Sequence, residues 1–354
     1  MLFSAKPKGF YVEQNDHAIM LARTSSVEAP LVVEEVRECP PGDAAALAEA
    51  IKQLQPKKSS SGYLHACCGV YAPKRFLRKV TIDPKKLKEP TYFGEILAQQ
   101  FRIEPDKTVT MVLNAPDGTD YDVAKGAQQK EALFAGMPAE EIITTQDGLL
   151  ASGIYPERLE IGSISTLGGL VNYLNFTKNK TPVLVLEVST DTTNSFIVSS
   201  AGIEATRPIP QGLESMIPVV QKELGLKDEE SARKLFYSNT FDFTGMGPLL
   251  IRKLLKELQS SIGFYEVQTG QSVGLLLSTI LPAKLGWLDG TIAKELGISP
   301  LKLELAPWLE TLEITVADAA KAALEPRWFG LLALMARHET VNPAANAVAA
   351  EKKA

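Results

Sequence analysis

Histidine, cysteine and the acids that close apolar runs are the side chains of this sequence whose types and spacing suggest chemistry. It holds three histidines and three cysteines. His65 stands two residues before Cys67, but few other soft ligands lie nearby, so a metal there would lack the second half of its coordination. Cys67 and Cys68 are neighbours on an expected strand and face opposite ways, which makes them buried core residues rather than a redox pair. His17 and His338 have no Ser or Cys motif beside them, so spacing supports no catalytic triad. The acids are more telling. Gly9-Phe-Tyr-Val-Glu13 and Leu184-Val-Leu-Glu187 each end an apolar run on a glutamate and are each followed by a second run, an internal echo that suggests a duplication. Ser189-Thr190-Asp191-Thr192-Thr193 follows the second acid, and such a cluster most simply serves turn and cap chemistry.

The elements that would position these residues follow from periodicity. Strands are expected at 9–12 and 18–23, then a helix capped by Asp43 with Leu47, Ile51 and Leu54 on one face. A polar connector at 56–62 leads to strands at 63–70 and 76–82, expected to complete the first sheet. The pattern then changes to helix 90–101, strand 108–114, strand 127–136, helix 138–152 and a last strand near 159–164, which suggests an insertion with its own sheet. Pro138 suits the start of its helix, where a missing N–H does no harm. Helix 166–174 returns the chain to the first domain, and Pro182-Val-Leu-Val-Leu-Glu-Val188 opens a second α/β unit. Ile251, Leu254, Leu255, Leu258, Ile262 and Tyr265 recur at helical spacing with charges opposite, and Val273 to Leu277 reads as a strand covered on both faces. A helix near 327–337 is expected to pack on the first domain, and the Ala-rich end at 341–354 to be disordered.

Composition limits the classes. A chain of 354 residues, 45% apolar, can bury a large core in two or more units. A net charge of −5 with scattered Lys/Arg pairs gives no footprint for nucleic acid. No apolar run approaches the roughly 18 residues that span a bilayer, and the N-terminus lacks a signal core, so the expected place is the cytoplasm.

The step Phe264-Tyr265-x-x-Gln268 followed by Leu275-Leu276-Leu277-Ser278 resembles the helix-to-strand junction of the type IV pilus assembly protein PilM family, in the FtsA/PilM branch of the actin-like ATPase superfamily. Further matches follow in the family's order along most of the chain. The resemblance implies an α/β, actin-like (ribonuclease H-like) duplicated two-domain fold. The first domain would comprise 1–80 with 165–180 and 311–340, and an inserted 1C (SHS2-like) subdomain would take 81–164. The second domain would comprise 181–225 and 269–310, with a small helical subdomain at 226–268.

In that family each half carries Asp-x-Gly at the end of its first strand, where the acid holds a magnesium shell and glycine lets amides reach phosphate. This sequence has Glu13-Gln14-Asn15 and Glu187-Val188-Ser189 instead. The family's Gly-Gly that contacts adenosine aligns with Ser278-Thr279. The resemblance thus implies a vestigial nucleotide site formed by Glu13, Asn15, Glu187, Ser189, Thr190, Thr192, Gly212, Ser278 and Thr279. It would hold no cofactor, or ATP and magnesium weakly. No catalytic residue and no metal ligand are assigned, and any turnover would be that of a weak ATPase. The implied role is a scaffold, peripheral at the inner membrane through a partner: it binds the N-terminal cytoplasmic peptide of a PilN-like inner-membrane protein. Self-association remains open, and direct membrane insertion is not expected, since the end of the chain lacks an amphipathic helix. An active ATP-binding actin-like protein and a small-molecule kinase of the same superfamily are the alternatives.

Overall fold

The computed structural model describes residues 7–55, 61–116, 118–125, 129–238 and 240–336. The expected disordered segment at 341–354, His338 and most of the 56–62 connector lie outside these residues. The chain divides into two compact units, Met1–Tyr71 with Thr144–Tyr173 and Leu303–Ala354, and Ala72–Ile143 with Leu174–Lys302.

In the first unit β1 (Gly9–Gln14), β2 (Ile19–Thr24) and β3 (Leu31–Cys39) form an antiparallel meander. β4 (Leu64–Val70) is parallel to β1. A separate three-stranded sheet, in the second unit, holds β5 (Phe76–Thr81), β6 (Thr108–Asn114) and β7 (Glu131–Pro138), while β8 (Ile154–Ile161) pairs in parallel with β4 in the first. The second unit repeats the opening with β9 (Val183–Val188), β10 (Thr193–Ser199) and β11 (Gly202–Ile209), then adds β12 (Leu275–Ser278) and β13 (Ser299–Pro300). β14 (Ile314–Val316) joins the outer edge of β3.

The duplication is explicit in strand order. The first sheet runs β14-β3-β2-β1-β4-β8 and the second β11-β10-β9-β12-β13. Apart from β14, the first three strands of each sheet run backwards from the centre and two parallel strands follow on the other side. β9, buried at all six positions, is the central strand that its unbroken apolar run requires.

Two sequence expectations are corrected here. β5 does not complete the first sheet; it pairs with β7 in the three-stranded sheet β5-β7-β6. The strand expected near 159–164 as the last of the insertion is β8, spanning Ile154–Ile161, and it belongs to the first sheet beside β4. β3 was not foreseen. Its alternation of Val and Leu with Glu and Arg places charges outward, where Arg23 links Glu34 and Glu35 at 3.0 and 3.1 Å.

Helices cover the sheets as amphipathy dictates. Asp43 caps helix Ala44–Leu54 by accepting from the Ala46 amide at 2.9 Å, and Leu47, Ala50 and Leu54 are its buried face. Arg23 donates to the Leu54 carbonyl at 2.8 Å, placing a cation at that helix's C-terminus. Helix Phe329–Ala336 is buried at every position and packs on β1, β2 and β4, as expected of the C-terminal helix. Trp308, fully buried, donates from Nε1 to Asn172 Oδ1 at 2.8 Å and lies edge-on to Tyr173.

Candidate functional site

The first acid ends β1 beneath the last helix. Glu13 is 3% exposed and flanked by Gly69 of β4 and Met20 of β2. Its carboxylate lies so close to Gly330, in the first turn of helix Phe329–Ala336, that a Cβ there would meet three of its atoms at under 3.0 Å. Gly330 is therefore a close-approach glycine: the helix rests directly on the acid. Asn15 is committed to the β1–β2 turn. Its Oδ1 accepts from the amides of His17 and Ala18 at 2.9 and 3.0 Å, an Asx turn.

In the second unit, Glu187 is fully buried and meets Arg75 at 2.6 Å, with both side chains 1% exposed. Arg75 also donates to the Ala72 carbonyl at 3.1 Å, which fixes the turn entering β5. The second carboxylate oxygen of Glu187, Oε1, is shielded from solvent and has no hydrogen bond among the described residues. Sequence reasoning took Arg75 as one of a scattered basic group and missed its role. The only available signal was an arginine immediately ahead of an apolar strand, which does not reveal a partner 112 positions away.

The turn after Glu187 is closed on itself. The Ser189 amide donates to the Thr192 carbonyl at 2.9 Å, and the Ser189 and Thr190 carbonyls accept from the amides of Leu213 and Glu214 at 3.1 and 2.9 Å. Thr193 donates to the Gln211 carbonyl at 2.7 Å. Gly212 is packed into this turn, and a Cβ there would lie under 3.0 Å from backbone atoms of Ser189, Thr190 and Asp191. Ser189, Thr190, Thr192 and Gly212 are thus brought together, with the Ser189 amide and the carbonyls of Ser189, Thr190 and Thr192 all in backbone hydrogen bonds.

Ser278 and Thr279 end β12, alongside Leu186 of β9, whose carbonyl accepts from the Thr279 amide at 3.0 Å. Their hydroxyl oxygens and Oδ1 of Asp289, in the first turn of helix Trp287–Leu296, are shielded and make no hydrogen bond among the described residues. Beyond them Ala283, Lys284, Gly286 and Trp287 face Thr240 to Phe243 across a cavity of about 390 Å³. Phe243 stacks on Trp287 with centroids 5.9 Å apart.

Burial raises the Asp289 carboxyl above its ordinary value of 3.8, against the opposing influence of Ser278. The sign of the pH effect follows. Below about pH 3.8 folded and unfolded chains both hold the proton, and the burial cost appears only as pH rises from there through the higher folded value. Asp289→Asn is therefore expected to have a higher urea midpoint than the wild type at about pH 7 and the same midpoint near pH 3. A midpoint difference independent of pH would refute the assignment.

Among the described residues no group of three His, Cys, Asp or Glu side chains is arranged to hold a metal ion, and no helix is long and apolar enough to cross a membrane. Arg158 reaches Cys67 Sγ at 3.1 Å, but burial outweighs it and pushes the Cys67 thiol up to about 11. That thiol is protonated and inert at neutral pH.

Two units of like strand order, each carrying a buried acid near the end of its first strand, have the topology of an actin-like fold. The chain is similar to a solved "PilM-PilN type IV pilus biogenesis complex", with 19% identity, a TM-score of 0.66, and coverage of 95% of this chain and 99% of that one. It is also similar to ethanolamine utilization protein EutJ from Carboxydothermus hydrogenoformans (12% identity, TM-score 0.41, coverage 93% and 89%). A third is the cytoplasmic domain of EpsL, an inner-membrane component of the type II secretion system of Vibrio cholerae (11% identity, TM-score 0.42, coverage 95% and 96%). No protein-family model and no curated protein matches the chain. The PilM-like, actin-like fold expected from the sequence is thus the fold of this chain.

Proposed function

We propose that this protein is a PilM-like scaffold of a type IV pilus or related assembly machine, acting in the cytoplasm at the inner membrane. Its partner is the N-terminal cytoplasmic peptide of a PilN-like protein, bound without help from nucleotide. The observation that carries the loss of nucleotide dependence is the Arg75–Glu187 pair. A magnesium-bound triphosphate is opposed by the acid that would face the metal shell, which already holds a guanidinium. The shielded oxygens of Ser278, Thr279 and Asp289 could serve only the uncharged adenosine end of a nucleotide, so any ATP affinity is weak in this reading. The alternative, an active ATPase or kinase of the same superfamily, needs the cation-accepting acid that Arg75 occupies.

The insert, read as a 1C-type (SHS2-like) subdomain, supplies the peptide site in this proposal. β6 is the outer strand of its sheet, and beyond it only one bridge, Leu113 to Asp120, is made among the described residues. Val109 and Met111 stand on one face of that strand, 53% and 43% exposed. An uncharged edge with alternate apolar side chains suits strand addition, in which backbone bonds supply affinity and alternate side chains selectivity. Titrating labelled N-terminal peptides of the neighbouring PilN-like protein should give saturable binding. Met111→Lys should weaken it about tenfold or more while leaving the unfolding free energy within about 0.5 kcal/mol of the wild type. Absence of saturable binding by any such peptide removes the scaffold role, whereas undiminished binding by the variant moves the site elsewhere.

A further inference from the structure

Ser61, His65 and Glu157 lie in one hydrogen-bonded chain on the surface of the first unit. His65 Nε2 is 2.6 Å from Ser61 Oγ, and His65 Nδ1 is 3.2 Å from Glu157 Oε1. A carboxylate accepts only, so the neutral ring that makes both bonds carries its proton on Nδ1 and turns the Nε2 lone pair to the serine. This is the polarity of a general base beside a nucleophile, with the base oriented by a third group.

The fold has arranged this contact. His65 is on β4 and pairs with Tyr155 of β8, whose ring lies 4.9 Å from the imidazole and restrains its plane. The register of that pair shifts between Ala66 and Cys67, where Pro156 and Arg158 are the successive partners, and Glu157 is the extra residue of the resulting bulge. Bulges re-aim single side chains, and this one delivers Glu157 to a histidine 92 positions earlier. Sequence spacing around the other two histidines gave no hint of it. Tyr63 and Tyr155 are exposed beside the chain and give it an apolar surface.

We propose that Ser61 is a nucleophilic serine that accepts acyl groups from small, uncharged activated esters, with His65 as its base and Glu157 as a positioning residue. In the acylation step Ser61 Oγ bonds to the ester carbonyl carbon as its proton passes to His65 Nε2, and the imidazolium returns that proton to the departing oxygen as the ester C–O bond breaks, releasing the alcohol or phenol. Water then loses a proton to the same nitrogen as its oxygen bonds to the acyl carbon, and that proton passes to Ser61 Oγ as the acyl C–Oγ bond breaks, releasing the carboxylic acid and restoring Ser61. Base assistance alone contributes on the order of 10²–10⁴-fold, so turnover is slow. Nothing in this proposal depends on the pilus role.

The test uses the full chain with a fluorophosphonate probe, whose fluoride is displaced by Oγ, and with p-nitrophenyl acetate for turnover. Peptide mapping should place the label on Ser61 in the folded protein and not after denaturation. Ser61→Ala should abolish label and turnover, and His65→Ala should slow both by about 100-fold. Glu157→Gln should lower kcat about tenfold with KM unchanged, as expected of a residue that orients the base rather than touching the ester. Ser61 and Glu157 are exposed and His65 is half-buried, so the Ser61 and Glu157 variants should keep the wild-type urea midpoint. Label on another residue, no label, or equal labelling of Ser61→Ala would overturn the proposal and leave a surface hydrogen-bond chain only.

Discussion

Arg75→Met is expected to destabilise the protein by about 3–5 kcal/mol, the loss that follows when one member of a buried ion pair is removed and the other stays as an uncompensated charge. Glu187 cannot recover by hydration, because it is fully buried on the central strand of its sheet. The partner change, Glu187→Leu, should cost a similar amount. The double variant should be far less damaged than the sum, since a well-packed apolar pair of like volume replaces both desolvated ions. Urea unfolding of the four proteins gives the coupling directly. Single-variant costs under about 1 kcal/mol would mean that the pair behaves as a solvated surface contact.

Gly212→Ala is expected to cost about 1–3 kcal/mol, the range for overpacking a filled interior. The reason lies in what a Cβ would meet there: backbone of Ser189, Thr190 and Asp191, none of which can turn aside as a side chain can. Relief requires the Ser189–Thr192 turn to move away, which breaks the bonds that Leu213 and Glu214 make to it. Amide hydrogen exchange should therefore rise at Leu213 and Glu214 in the variant and remain unchanged in the first unit. Uniform acceleration across the chain would contradict this local account.

Some of this was legible in the sequence because it is local. Asp43 is a cap by type, the apolar run into Glu187 opens a second α/β unit, and Val273 to Leu277 reads as a strand covered on both faces. The duplication was visible in two runs that each close on an acid. The rest depends on partners remote in sequence. The alternation of β5 and β8 makes each a strand but does not say which neighbour it takes, since the period is two in any sheet. That is why each was assigned to the other's sheet. Arg75 belongs with Glu187 across 112 positions and Glu157 with His65 across 92, the second through a bulge that no residue type announces. The nine residues expected at the vestigial site stand at or beside the ends of β1, β9 and β12 or at the turn that Gly212 packs against. What they touch was not foreseeable: Glu13 lies under Gly330, and Glu187 is closed by a guanidinium.

The central proposal, that the guanidinium of Arg75 on Glu187 denies a nucleotide its metal-facing acid, is tested most directly by calorimetric titration of the full chain with magnesium and ATP. The expected result is no saturable heat, or affinity weaker than millimolar. Stoichiometric binding in the micromolar range would contradict it.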